Sequence, residues 1–288
     1  MRLRRLSLGL LLLCLCTVLQ GQEYRMPALP DSLRDTPSRV RWAVTHYWDD
    51  FHFSDTTLLT SAYGEQALVN YLSLMPYASA EVQSAGISRW WQQMKGAFPA
   101  RRFFFDGAEH YLYHPNSPMR NEELYRLVLS QIDEGDGDDL RSRARFALRM
   151  LNQNKAGDEA TDVLLLMADG SESSIRALTS GTPTLLLFYD PECEHCQQML
   201  AQLTHDTRLS AAIASGSKQL LAVYTGEDLE AWRRHLGDLP ATWRHAADRG
   251  VITAGMLYDL RSLPVLYLLD ADGVIAKKEA SVQDVAEW

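Results

Sequence analysis

Cysteine is scarce in this chain: four in 288 residues. Long apolar runs are scarce too. Only Leu6 to Leu19 is extended enough to notice, and it is too short to span a bilayer between polar flanks. Basic charge is also short. Setting aside Arg2, Arg4 and Arg5 takes the 28 basic residues to 25 against 37 acidic ones, a net charge near −12. Such a surface does not track nucleic-acid phosphates or anionic lipid. There is no internal repeat, no Gly-x-Ser-x-Gly, no glycine-rich phosphate loop and no His-Glu-x-x-His, so the usual hydrolase and nucleotide signatures are missing.

What is present begins with a leader. Arg2, Arg4 and Arg5 precede the apolar Leu6–Leu19 stretch, the pattern of a secretory signal peptide over 1–21. Cleavage is expected after Gly21, leaving Gln22 first, although Leu19 at the minus-three position is not ideal. A lipid anchor needs a small residue before its cysteine, and Cys14 and Cys16 both follow leucine, which argues against lipoprotein anchoring. The remaining residues are enough for two domains, each with its own core.

Residues 22–156 read as an all-α domain. Val40, Ala43, Val44, Tyr47, Trp48 and Phe51 recur on one face of an amphipathic helix starting near Ser38. Leu68 to Met75, Ile87 to Met94 and Phe104 to Leu112 give three more helices. Leu124 to Ile132 gives a fifth, with Asn121 as N-cap, and Arg141 to Leu151 a sixth. His110 and His114 have the i, i+4 spacing of metal ligands but no third partner, so a structural role is expected. The acidic run Asp133–Asp139 resembles a calcium loop in composition only, and capping of the next helix is the simpler expectation. Trp90, Trp91, Phe103, Phe104 and Phe105 are expected in the core.

Residues 157–288 switch period, and short apolar runs alternate with helical stretches, as in an α/β layer fold. Strands are expected at Val163–Met167, Pro183–Tyr189 and Gln219–Thr225, with a short extended piece at Trp243–Ala246. A hairpin follows from Pro264–Leu269 and Val274–Lys278 around Asp272-Gly273. Helices are expected over Cys196–Leu209, Leu229–Leu236 and Val282–Trp288, with a helical turn at Ile252–Leu257. Cys193-Glu194-His195-Cys196 lies between the Pro183–Tyr189 strand and the helix after it. A first sulfur there sits at a helix N-terminus, where backbone N–H groups favour a thiolate, and the second lies one turn on. A disulfide can close between them, which is how a dithiol redox site is built.

This order of elements, the Cys-x-x-Cys at the strand-to-helix turn and Leu263-Pro264 before the next-to-last strand resemble the thioredoxin fold. The Gln219–Ala246 stretch and Tyr258-Asp259-Leu260-Arg261-Ser262-Leu263-Pro264-Val265-Leu266-Tyr267 resemble its TlpA-like extracytoplasmic branch. His46-Tyr47-Trp48-Asp49-Asp50-Phe51 and Tyr111-Leu112-Tyr113-His114-Pro115-Asn116-Ser117-Pro118-Met119-Arg120 look like an uncharacterised helical domain found ahead of thioredoxin-like domains in Gram-negative envelope proteins.

The resemblance implies that Cys193 is the attacking thiolate, Cys196 the resolving thiol, and Pro264 the cis-proline beside the disulfide. On pattern alone, Pro264 is simply the first residue of a strand. His195 and Glu194 are modulating positions of opposite sign: an imidazolium stabilises the Cys193 thiolate, whereas a carboxylate opposes it, so the dipeptide leaves the direction of electron flow open. Three positions depart from the family. Leu187 stands where thioredoxins carry a buried acid, Glu192 where a tryptophan usually precedes the first cysteine, and the last helix is short. Without the acid, water or Glu194 is left to take the Cys196 proton.

The leading expectation is a periplasmic thiol–disulfide oxidoreductase, on balance a reductase. It would exchange with cysteine-containing envelope proteins and a membrane electron donor or acceptor, with no cofactor, metal or nucleic acid. A docking surface beside Cys193 is the role expected of the helical half. A binding module with a vestigial or purely structural disulfide is the alternative. Copper(I) or zinc binding through the two thiols and a histidine is the third.

Overall fold

The computed structural model describes residues 24–59 and 61–288. The expected leader, with Cys14 and Cys16, lies outside them. Among the described residues no helix is long and apolar enough to cross a membrane. The chain forms two compact units. One runs up to Tyr113 and includes Glu123–Gln131; the other comprises His114–Glu122 and Ile132–Trp288.

The first unit is helical, with α1 (Thr36–His46), α2 (Thr56–Leu59), α3 (Ala62–Leu74), α4 (Ala80–Gln93), α5 (Phe98–Ala108) and, at its boundary, α6 (Glu122–Leu129). Asp35 starts α1 by accepting the Ser38 N–H at 2.8 Å. The sequence pattern carries this helix to Phe51, but it ends at His46. The Tyr24 hydroxyl donates to the Tyr47 carbonyl, and the Asp49 carboxylate accepts from Arg89 and Gln93 at 2.8 and 2.9 Å. These tertiary bonds hold a turn in place of a further helical turn. The turn carries Trp48 inward, where it stacks on Trp90 with centroids 5.7 Å apart and meets Phe104 edge-on at 5.1 Å. Trp90, Trp91, Phe104 and Phe105 are buried core, whereas Phe103, expected with them, is only partly buried; each aromatic pair contributes about 0.5–1.5 kcal/mol beyond area burial.

The second unit adds α7 (Gly137–Asn152) and a sheet built from β1 (Leu164–Met167), β2 (Glu172–Ser174), β3 (Thr184–Tyr189), β4 (Gln219–Tyr224), β5 (Arg244–Ala247), β6 (Val265–Leu269) and β7 (Ile275–Lys277). The helices are α8 (Ile175–Thr179), α9 (Glu194–His205), α10 (Thr207–Ala214), α11 (Leu229–His235), α12 (Val251–Gly255) and α13 (Val282–Glu287). Sheet order is β2-β1-β5-β4-β3-β6-β7, with β3 parallel to β4 and antiparallel to β6. Every residue of β3 is buried. Leu185, Leu187 and Tyr189 face one cluster, Leu186 and Phe188 the other. A strand covered on both faces reads as a continuous apolar run, and each fully buried leucine contributes about 2 kcal/mol.

The acidic run before α7 caps the short 3-10 turn Glu134–Asp136 rather than α7 itself, whose N-cap Asp136 makes no side-chain cap bond to it. Asp133 accepts the Gly135 N–H, and the fully buried Asp136 accepts the Asp133 N–H at 2.9 Å. The helix expected as one piece from Cys196 to Leu209 is two. Asp206 ends α9 and accepts the Arg208 and Leu209 N–H groups that open α10. The polar stretch after α7 is tied down. Gln153 and Asn154 donate to the Leu257 carbonyl at 2.7 and 2.8 Å, the Gly157 N–H donates to the Ile275 carbonyl of β7, and the Ile275 N–H donates to the Asp158 carbonyl, both at 2.8 Å.

Candidate active site

β3 runs toward Asp190, and β6 begins at Val265. Their antiparallel register pairs Phe188 with Val265, so the end of one strand and the start of the other meet at the same sheet edge. Cys193 follows β3, and the Leu263–Pro264 peptide, which is cis, precedes β6. Strand pairing thus brings together two segments seventy residues apart. The Cys193 thiol donates to the Leu263 carbonyl at 3.7 Å.

Cys193 occupies the N-cap of α9 and is half-buried, while Cys196, in the first turn, is fully buried; both are free thiols. Two bonds hold the loop between β3 and α9: the Glu192 N–H onto the Asp190 carboxylate at 2.8 Å, and the Gln197 amide onto the Pro191 carbonyl at 2.7 Å. The Asp190 N–H donates to Cys196 Sγ at 3.4 Å. Burial pushes the Cys196 thiol up to about 12, with the Cys193 thiol and the Asp190 charge adding to the rise and the Asp190 N–H opposing it. At neutral pH Cys196 is therefore a protonated thiol.

Glu194 and His195 are both exposed. Glu194 accepts from Gln198 one turn on, at 3.4 Å. His195 lines a cavity of about 400 Å³ with Leu263 and Pro264. Pro115, Asn116 and Arg120 also line it, from the Tyr111–Arg120 motif, whose sequence carries no signature of chemistry. Leu187 is buried in the same cluster as Cys196. Asp190 was not singled out in the sequence, because its backbone contact with Cys196 depends on the loop conformation. Among the described residues no group of three or more His, Cys, Asp or Glu side chains could hold a metal ion. His114 Nδ1 takes the Asn116 N–H at 3.3 Å.

A cysteine pair at the end of a central strand, beside a cis-proline that precedes the neighbouring strand of a mixed sheet, defines a thioredoxin-like protein. A crystal structure of a thioredoxin-like protein from Bacteroides caccae superposes with a TM-score of 0.78 at 28% identity, covering 92% of this chain and 97% of that one. The thioredoxin domain of a thiol-disulfide oxidoreductase from Bacteroides vulgatus matches over 46% of this chain and 93% of its own at 19% identity, with a TM-score of 0.41. The methylamine utilization protein MauD of Methylobacillus flagellatus is 34% identical over 103 residues, 36% of this chain and 46% of MauD, so the match spans about half of that relative. The family described as Domain of unknown function (DUF5106) matches residues 11–154, and the chain belongs to it.

Proposed function

We propose that this protein is an exported, periplasmic thiol–disulfide oxidoreductase that works as a reductant of protein disulfides. The observation that carries it is the pairing of an accessible thiol at a helix N-terminus, Cys193, with a buried neutral thiol one turn on, Cys196. The Cys193 thiolate attacks one sulfur of a substrate disulfide, forms a mixed disulfide and releases the other substrate sulfur as a thiolate, which takes up a proton. Cys196 then loses its proton and attacks Cys193 Sγ. The second substrate thiol leaves and the Cys193–Cys196 disulfide closes. Two electrons pass from the protein to the substrate, and a membrane dithiol donor restores the reduced pair. Pro264 keeps the substrate peptide beside Cys193.

The reductant direction is supported by the resemblance of the Gln219–Ala246 stretch and of the segment around Leu263-Pro264 to the TlpA-like branch, whose reductases often carry a glutamate where Glu194 stands. Glu194 and His195 both lie in solvent, where water screens their opposite effects on Cys193. As sequence modules we take 22–156 as helical and 157–288 as thioredoxin-like, the first lending His114–Glu122 and the stretch after Gln131 to the compact unit of the second.

The test is trapping. Cys196→Ser protein expressed in the envelope should accumulate covalent adducts that reducing agent releases, and Cys193→Ser should form none. Absence of adducts from Cys196→Ser would favour the alternative, a binding module with a structural disulfide.

A further inference from the structure

The stretch His114–Glu122 belongs in sequence to the helical half and to the DUF5106 match, yet it folds with the sheet unit. Its Pro115, Asn116 and Arg120 line the cavity that His195, Leu263 and Pro264 line from the other side. Arg120 fixes this stretch. Its guanidinium pairs with Glu122 at 2.7 Å and with Glu279 at 2.5 Å, and all three side chains are about three-quarters buried. Glu279 holds φ 51, in the left-handed region that non-glycine residues seldom adopt, while its carboxylate sits on Arg120.

Arg261, the other guanidinium in the cavity, forms a two-pronged pair with Asp259, both contacts at 2.7 Å. Both cations are thus committed within the protein, and Arg120 is shared by two carboxylates, so the cavity offers no free cation to an acidic occupant. What it offers is the amides of Asn116 and Gln202, the Ser262 hydroxyl and an apolar floor of Met199, Leu263 and Pro264. Amides and hydroxyls of this kind pair with peptide backbone. The volume of about 400 Å³ lies in the small-ligand range, room for a few side chains of an extended segment.

We propose that His114–Glu122, pinned by Arg120 to Glu279, is a fixed wall of the substrate groove, so that the Cys193 site takes a short, flexible, non-acidic cysteine-bearing peptide segment in preference to a disulfide on a rigid folded surface. This rests on the dithiol reading above and gives part of the DUF5106 region a role in substrate selection.

The full mature chain in its reduced form is assayed against two probes. One is a short uncharged cysteine peptide oxidised to its symmetrical disulfide. The other is a small folded protein with one exposed disulfide. The preference for the peptide in kcat/KM is expected to reach about tenfold and to shrink by about tenfold in Asn116→Ala, the size of losing one hydrogen bond to substrate, and by a similar factor in Arg120→Ala, which releases the wall. Arg120→Lys should retain most of it. Iodoacetamide alkylation of Cys193 reports the state of the thiol in each variant, and Asn116→Ala, which breaks no ion pair, keeps the test open if Arg120→Ala does not fold. Equal rates with both probes, or an unchanged preference in a folded variant, overturn the wall alone. Exchange with neither probe overturns the dithiol reading itself.

Discussion

Cys193 and Cys196 are one helical turn apart, yet only the first meets solvent. Desolvation holds the Cys196 proton on until about pH 12, so the resolving step depends on a small thiolate fraction. That fraction rises about tenfold per pH unit below the pKa. Release of a preformed Cys193 mixed disulfide should therefore accelerate about tenfold per unit between pH 7 and 9, measured by quenched flow; a flat profile would count against Cys196 as the resolving group. The same proton sets a stability trend. An unfolded cysteine titrates near about 8.5, below the folded value, so this group's contribution is intact below that pH and is lost as pH rises toward 12.

Leu187 offers a second test at this scale. It lies in the buried cluster with Cys196, at the position where thioredoxins carry an acid. Leu187→Asp should supply a proton acceptor and speed resolution at neutral pH. Its unpaired buried charge should lower stability by about 3–5 kcal/mol, read by urea denaturation. Much of the site was legible because the chemistry is local: Cys-x-x-Cys fixes both sulfurs within one turn. The Asp190 N–H on Cys196 and the Arg120–Glu279 pair were not legible. The first depends on loop conformation, and the second joins residues far apart in the chain.

Among the elements, α13 depends on its cap. Ser281 accepts the Asp284 N–H at 3.2 Å, and the Ser281 N–H donates back to the Asp284 carboxylate at 2.8 Å. The helix covers the core with Val285, and Trp288 packs against the same cluster. Ser281→Ala should cost about 1 kcal/mol in urea denaturation; no change would mean α13 is held by packing alone. The bond from Lys277, then those from Ser281, hold the Asp284 carboxyl down at about 2. Its contribution is present above about pH 4, where the unfolded group is ionised, and is lost as pH falls toward 2.

Long periodic segments such as α3, α4, α7 and β3 were legible because burial writes a period into the sequence. The short α2, α8 and β2 were not, since four residues or so carry no period. The break between α9 and α10 lies at one aspartate whose capping preference overrides the apolar spacing, and the early end of α1 follows from tertiary bonds to Tyr47 and Asp49.

For the molecule as a whole, two units emerge whose limits do not follow the change of sequence period. The period changes where regular apolar spacing changes, near residue 156, whereas compactness follows packing and draws His114–Glu122 and α7 to the sheet. The expected leader makes a separate prediction. The full chain should appear in the periplasmic fraction with a mature N-terminus at Gln22, read by intact mass, and a chain starting at Gln22 should stay in the cytoplasm. A cell-associated protein that keeps its first residues would contradict export by cleavage.

The central claim is that Cys193 and Cys196 form a reducing dithiol. The most direct measurement is the reduction potential of that couple in the purified mature chain, titrated against dithiol buffers and read by alkylation. A reducing dithiol gives a value near or below about −270 mV, that of thioredoxin. A value between about −120 and −180 mV, the range of oxidants and isomerases, would contradict it.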